Sequence, residues 1–598
     1  MRATHPLPWY MTRASFGLAL ATLLIACGGT PQKEAPEPVS PATETTPDLK
    51  GLTMPASLYR NEFQAAEAAL ARNQWMVAET SLTPLAETTL DANDSARLTY
   101  TEARIAHLRG DDPGAQALLK AMDQPGLHPA IAYRAHNFQR HLLDLQRDYL
   151  TSAALGAQLL AIAPSSDQLA LKRSVWHDLM RTPPANIARA RGTSTDQQWA
   201  AWLELAELAN QDSTHLATGL PAWQANNPGH PANSPLPGGL QYLQDQTAAP
   251  HQVALMLPLS GRLAPAGKAV RDGYLASYFK ARQGNAAPFE IRVVDSDLYP
   301  SVTEAYRAAI NGGARMVVGP LSKNAVAELA LEPGRPVPIL ALNQMDGSLP
   351  AGNSALIQFA LAPEDEAAQI AEVAFGDGAR RALLLRPAGA WGDKMEQALR
   401  ARWQTLGGTF SSALAYTGQD DYSASIKNGL GIASSEARRR QLRDMLAEPV
   451  EFTPRRRQDI DAIFLLARNA AEARSMKPLL AFHYAGALPV YATSSVYRGS
   501  ADDRDRDLNG LNLVELPWLL GSNRELSEAL AKASIDAYPR LNALGADAYL
   551  LQSRFLQLQA GPDLLIRGDT GLLSLNPQLQ IERELVPAKF DGGELAPR

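Results

Sequence analysis

Cysteine is almost missing: one residue, Cys27, in a chain of 598. A disulfide framework and a thiolate zinc cluster each need several thiols, so neither holds this chain together. After Cys27 no apolar run approaches the ~20 residues of a membrane-spanning helix. Neither sign of charge dominates, with 56 basic against 62 acidic residues and a net charge of −6. No bulk field therefore draws the chain to nucleic acid. Catalytic signatures are missing too. There is no phosphate-binding Gly-x-x-x-x-Gly-Lys-Ser/Thr loop, no Gly-x-Ser-x-Gly elbow and no His-Glu-x-x-His zinc motif. Ten histidines are scattered without an i, i+4 ligand pair. Asp295 and Asp297 end one apolar run and could pair as carboxylates, but caps and turns are the ordinary use of such residues. The chain is expected to be no enzyme, to hold no metal and to need no cofactor.

What is present begins with Cys27 itself. Arg2 and Arg13 give a positive start, and Ala14 to Ile25 is an apolar run of signal-peptide length. Leu24-Ile25-Ala26-Cys27 resembles a bacterial lipobox. The resemblance implies cleavage before Cys27 and acylation of its thiol and new amino group. Two acyl chains already bind a membrane stably, so three give a permanent anchor. Gly28 and Gly29 follow where lipoproteins retained in the inner membrane usually carry Asp, which implies sorting to the outer membrane. A chain exported with no spare thiol also avoids wrong disulfides. Residues 1–26 read as signal peptide. Residues 27–57 read as the lipidated cysteine and a tether, because their Pro-, Thr-, Glu- and Ala-rich composition cannot bury a core.

From 58 to 225 apolar residues recur at helical spacing. Turns are expected near Arg72-Asn73-Gln74, in "HLRGDDPGAQALL" from His107 and in "DLQRDYLTSAALG" from Asp144, with Ala71, Leu108 and Leu145 in equivalent places 37 residues apart. A fourth turn is expected near "LMRTPPANIA". A period near 34 with paired helices belongs to tetratricopeptide-like arrays, in which each pair needs its neighbours to bury its apolar face. "NNPGHPANSPLPGG" breaks the pattern, so 226–251 is expected to be a Pro/Gly-rich linker carrying few contacts.

After the linker the period changes. "VALMLPL" is a continuous apolar run, as in a strand buried on both faces. Strands and helices then alternate through Phe289–Asp297, Ala314–Pro320 and Pro336–Leu342. The pattern restarts at Arg380–Pro387, Phe410–Thr417, Asp461–Ala467 and Leu488–Tyr497. Two such series predict two α/β lobes around a cleft over 252–598. "LMLPLSGRLAPAGKAVRDGY" and "VVGPLSKNAVAELA" resemble cleft-facing segments of type I periplasmic binding proteins. In open α/β sheets ligands bind beyond the carboxyl ends of the strands. Ser260, Gly261, Ser322 and Asn324 are therefore the candidate cleft residues, with helix capping as their alternative use.

The segments "FTPRRRQDIDAIFLLARNAAEARSMKPLLAFHYAGALPVYATSSVY" and "DRDLNGLNLVELPWLL" closely resemble the LpoA family. Its members are outer-membrane lipoproteins that activate a bifunctional class A penicillin-binding protein. The order lipobox, helical array, linker, binding-protein fold matches that family. The resemblance implies a periplasm-facing, outer-membrane-anchored activator. It implies that the α/β domain docks on the synthase and stimulates peptide cross-linking, with the helical array as spacer and secondary contact. Arg455, Arg456 and Arg457, with Arg438, Arg439 and Arg440 nearby, are the candidate docking residues. Their alternative is a solvated face paired with Asp459 and Asp461. A different class of function, a lipid-anchored solute receptor, is consistent with the same fold.

Overall fold

The computed structural model describes residues 52–598 apart from 123–125, 212, 244–249, 284–288, 348, 350–354 and 447–450. The expected signal peptide, Cys27 and most of the expected tether lie outside the described residues. Among the described residues no helix is long and apolar enough to cross a membrane.

The amino-terminal part is an array of paired helices. The pairs are Arg60–Leu70 with Trp75–Leu82, Ala92–Leu108 with Asp112–Ala121, and Pro129–Leu145 with Tyr149–Leu159. Gln168–Arg181 with Pro184–Thr193, and Gln197–Ala209 with Ser213–Asn226, complete it. The repeat has a local cause. Asn73, Gly110 and Arg147 all take positive φ, at 56°, 86° and 62°, and stand 37 residues apart. A left-handed residue ends a helix and reverses the chain. Asp111 and Asp148 then cap the next helix, accepting from the Gly114 and Thr151 N–H groups at 3.0 and 3.3 Å. The fourth turn falls at Thr182-Pro183, as expected, and a fifth pair follows it. Between the third and fourth pairs a buried polar joint sits beside the shared apolar core. Arg140 binds Asp178 at 2.9 Å and the Ser152 carbonyl at 3.0 Å.

The rest of the chain builds two sheets. β1 (Gln252–Leu257), β2 (Glu290–Asp295), β3 (Met316–Val318), β4 (Ile339–Ala341) and β5 (Leu356–Phe359) form the parallel part of the first lobe. β6 (Arg381–Pro387), β7 (Thr409–Tyr416), β8 (Ala462–Leu465), β9 (Val490–Ala492) and β10 (Leu511–Glu515) form that of the second. The chain then returns. β11 (Leu565–Arg567), β12 (Leu572–Leu575) and β13 (Gln580–Glu584) extend the first sheet, and β14 (Val586–Asp591) and β15 (Glu594–Pro597) extend the second. The sheet orders are β11-β12-β13-β5-β4-β3-β1-β2 and β15-β14-β10-β9-β8-β6-β7. The expected strands are present. The returns β11–β15 were not anticipated; β13 joins β5 in parallel, whereas β14 joins β10 antiparallel.

The chain therefore crosses between lobes after β5, β10 and β13. Near these crossings lies Arg583, 2% exposed, its guanidinium pulled down from its ordinary range by burial and held up by Glu366, Asp365, Asp547 and Glu515. After the second crossing, helix Pro539–Ser553 lies against Ala264–Gln283 of the first lobe. A Cβ on Gly273 would overlap the Asn542 carbonyl, and one on Gly545 the Val270 carbonyl, so two glycines permit this contact.

The Pro/Gly-rich stretch corrects the expectation of a linker with few contacts. Short 3₁₀ turns at Pro231–Asn233 and Pro237–Leu243 bury Leu236, Leu240 and Leu243. The Gly238 carbonyl accepts from Gln557 Nε2 at 2.6 Å, and the Ser234 carbonyl from Lys172 Nζ at 2.7 Å. These leucines share one core with Trp176 and Trp202 of the array and with Leu565 and Leu572 of the first lobe. Proline and glycine here set tight turns around buried leucines.

The array lies along both lobes. On the first lobe, Arg567 donates to the Thr182 carbonyl at 2.7 Å and to Asn210 Oδ1 at 3.0 Å, and Arg554 donates to the Ala209 carbonyl at 3.1 Å. Arg181 pairs with Glu584 at 2.7 Å. These arginines occupy carbonyls that helix ends leave unpaired. On the second lobe, the repeat turns make the contacts. Arg147 faces Asp377 at 3.9 Å, the His107 carbonyl accepts from Arg380 at 3.4 Å, and Gly407 abuts Asn73.

Candidate functional site

The cleft is built by strand ends that run into helix N-termini. At the end of β1 the chain turns through Ser260 and Gly261. Gly261 has φ +69°, which favours glycine, and a Cβ there would press on Asp297. The Asp295 carboxylate takes the Leu259 N–H at 2.9 Å and the Asp297 N–H at 3.1 Å. Partial burial would raise its proton affinity, but these bonds and others from the Ser260 hydroxyl and N–H hold it below the ordinary range. Ser260 is thus engaged with Asp295. Ser322 caps helix Lys323–Leu331, accepting from the Ala325 N–H at 3.3 Å. Asn324 stands exposed in that helix's first turn. The four candidates follow the neighbouring strands β1 and β3, and both hydroxyls do capping or turn work.

A feature that the sequence reading did not use recurs in both lobes. A Cβ on Gly267 would overlap the Pro258 carbonyl, and one on Gly392 the Pro387 carbonyl. Each helix beyond a cleft strand approaches the strand end so closely that glycine is required. The signal lay in Pro-x-x-x-x-x-x-x-x-Gly and Pro-x-x-x-x-Gly after an apolar run, with no fixed spacing to reveal it.

Across the cleft, charges from the two lobes approach each other. Lys323 meets Asp346 at 3.3 Å in the first lobe. Lys394 of the second pairs with Glu364, and that bond, with Asp346 beyond it, holds its amine above the ordinary range. Where the first lobe meets the array lies an open depression of about 630 Å³, lined in part by Asn210, Lys280, Asn523, Arg567 and Asp569. On its wall Asp547 accepts the Asp569 and Thr570 N–H groups, both at 2.7 Å. Burial, and then the neighbouring Asp569, push its carboxyl up to about 7. Burial likewise draws Arg567 down to about 10, against the pull of Glu584. Arg567 joins array to lobe, whereas Asp547 ties helix Pro539–Ser553 to the turn at Asp569-Thr570.

The arginine triplet divides. Arg457 is structural: it pairs with Asp459 at 2.6 Å, donates to the Ser411 carbonyl at 2.9 Å, and its bond holds the Asp459 carboxyl down to about 2. Arg456 donates to the Arg457 carbonyl at 2.9 Å, and Arg455 is exposed. Asp461, expected as a partner for this triplet, instead takes Arg381 at 2.9 Å. Arg438, Arg439 and Arg440 all stand exposed on helix Ile432–Leu446, with Arg439 over the Phe452 ring at 5.3 Å. Arg455, Arg456 and this helix therefore form one basic edge of the second lobe. Beside it, Ser423 Oγ and His483 Nε2, 2.8 Å apart, tie helix Tyr422–Gly429 to the turn at Ala481–Ala485, and burial lowers the His483 proton affinity. Among the described residues no group of three or more His, Cys, Asp or Glu side chains is placed to hold a metal.

Residues 56–593 match the family described as "LppC putative lipoprotein". The chain is 27% identical to the penicillin-binding protein activator LpoA of Vibrio antiquarius, over 95% of this chain and 96% of the relative. It is 26% identical to the protein of the same name from Photobacterium profundum, over 97% and 96%. The crystal structure of full-length LpoA from Haemophilus influenzae superposes with a TM-score of 0.50 at 23% identity, covering 90% of this chain and 95% of that one. The shared fold is a helical amino-terminal region followed by a two-lobed α/β domain.

Proposed function

This chain belongs to the LppC (LpoA) family, and from that premise we propose that it is a non-enzymatic activator of a class A penicillin-binding protein. It binds the bifunctional synthase and stimulates peptide cross-linking of peptidoglycan. Acylation of Cys27 anchors it in the outer membrane, facing the periplasm. The observation that carries the reading is the end-to-end similarity to two curated activators, 95% and 97% of this chain, which includes array and α/β domain alike. An activator favours one state of its target through contacts that differ between states. The basic edge with Arg455 and Arg456 is the proposed docking face, and Arg457 supports it from beneath.

The solute-receptor reading draws no comparable support. The Ser260 and Ser322 hydroxyls are engaged within the protein. The test is reconstitution of purified class A synthase with lipid II, with and without this chain. The expected result is a higher ratio of cross-linked to uncross-linked peptide at equal glycan output. An unchanged ratio together with no detectable complex would overturn the proposal.

A further inference from the structure

Helix Ile432–Leu446 is held at its root and bare at its tip. Ile432 is buried and Lys427 pairs with Glu436 at 3.1 Å, whereas every residue from 438 to 446 is exposed. On that bare half Leu442, Met445 and Leu446 are 49%, 81% and 62% exposed. Their i, i+3, i+4 spacing puts them on one stripe. Arg439 and Arg443 flank the stripe, and Arg438 and Arg440 complete the basic turn. A second apolar spot lies near the root. In the turn Ala481–Ala485, Phe482 and Tyr484 are 74% and 53% exposed, and Tyr484 takes φ +64°. A bulky residue held at positive φ is strained, and such strain clusters at binding and switch sites. His483 places this turn beside the helix, close to Lys427 and Glu436.

We infer that the Leu442, Met445 and Leu446 stripe is the anchor by which this protein grips its partner, and that the occupant is an acidic protein segment with its own apolar side chains. The inference rests on the activator reading and names the contact that reading needs. Charge decides the occupant: a chain of net −6 collects six arginines here, at 438, 439, 440, 443, 455 and 456, so the complementary surface carries carboxylates. The two components do separate work. A desolvated apolar centre sets the dissociation rate, and rim charges set the association rate and its salt dependence. Arginine suits the rim, because its planar fork meets carboxylates with two parallel bonds.

The experiment uses the full chain and purified class A synthase, with binding read by interferometry. Leu442→Ala, Met445→Ala and Leu446→Ala together remove the stripe, and Arg439→Glu with Arg443→Glu reverses the rim. The alanine variant is expected to melt like the wild type, because the side chains touch solvent, and to weaken binding at least tenfold through faster dissociation. The reversal is expected to slow association severalfold in low salt and to flatten its salt dependence. An alanine variant that binds like the wild type overturns this anchor while leaving the activator reading intact. A wild-type chain that binds no synthase overturns both. A third arm uses vesicles of phosphatidylethanolamine and phosphatidylglycerol with the acyl-free chain. If the alanine variant loses vesicle binding but keeps the synthase, the stripe is a membrane contact and the inference fails.

Discussion

Removing residues 231–251 from the isolated α/β domain should destabilise it measurably, because that stretch packs on Leu565 and Leu572 and bonds Gln557 of the first lobe. The perturbation compares a fragment 231–598 with a fragment 252–598. Leu236, Leu240 and Leu243 are 4%, 1% and 1% exposed. Full burial of a leucine is worth roughly 1.5–3 kcal/mol. The array supplies part of that cover and is missing from both fragments, so about half, roughly 1 kcal/mol per leucine, belongs to the lobe. The bond from Gln557 Nε2 to the Gly238 carbonyl adds about 1 kcal/mol. The total is about 4 kcal/mol, an upper figure because an unfolded chain already buries some apolar surface. A domain of this size shifts by no more than about 2 °C per kcal/mol, so the shorter fragment should melt about 5–8 °C lower. Calorimetry on both fragments checks this. Equal melting temperatures would mean that the segment is a passive connection and that the buried leucines serve the array alone.

Gly267→Ala and Gly392→Ala should each cost about 2 kcal/mol or more, on the order of an overpacked core site, since backbone carbonyls cannot move aside; a chemical melt near wild type refutes the close approach. Arg455→Glu with Arg456→Glu should leave the melt unchanged and weaken synthase binding most at low salt, whereas Arg457→Ala should lower stability by about 1 kcal/mol or less through its partly exposed pair; equal binding at all salt concentrations would reduce this edge to a solvated face. Burial pushes the Asp365 carboxyl up to about 6 against the pull of Arg583, and its Oδ2 has no partner. Its folded value is raised, so its contribution is full below about pH 4, near the unfolded value, and is lost as pH rises through 6; Asp365→Asn should therefore gain on wild type by about 2 kcal/mol between pH 4 and 7, and parallel pH–stability curves would contradict this. Cys27→Ala should leave a folded but unanchored precursor, and its recovery in the outer-membrane fraction would disprove anchoring at that residue.

The array was legible because its turns have strict local demands. A left-handed residue recurs at fixed steps, at Asn73, Gly110 and Arg147, and an acidic cap follows the last two, so the period shows without any tertiary knowledge. The parallel strands were legible as continuous apolar runs. The return strands were not, because β13 joins β5 across more than 200 residues and "QIERE" carries only a weak alternation. The stretch before β1 misled by composition: its prolines and glycines read as linker, yet Leu236, Leu240 and Leu243 recur at i, i+4, i+7, a packing signal that outweighs them. At the basic edge the sequence showed charge but not role. Arg457 is separated from Arg455 only by where Asp459 and the Ser411 carbonyl lie, and β7 brings Ser411 there from far along the chain.

The array's grip on both lobes has a mechanical consequence. Two-lobed binding proteins work as jaws, and jaws need free travel about the crossing strands. Here a splint runs beside the joint, riveted to one jaw by Arg181, Arg554 and Arg567 and braced on the other by the turns at Asn73, His107 and Arg147. Hydrogen bonds are lost within ~1 Å of stretch, so closing would have to shear one row of these rivets. Travel of the jaws and the grip of the array are therefore coupled, since contacts on both jaws come from the same splint.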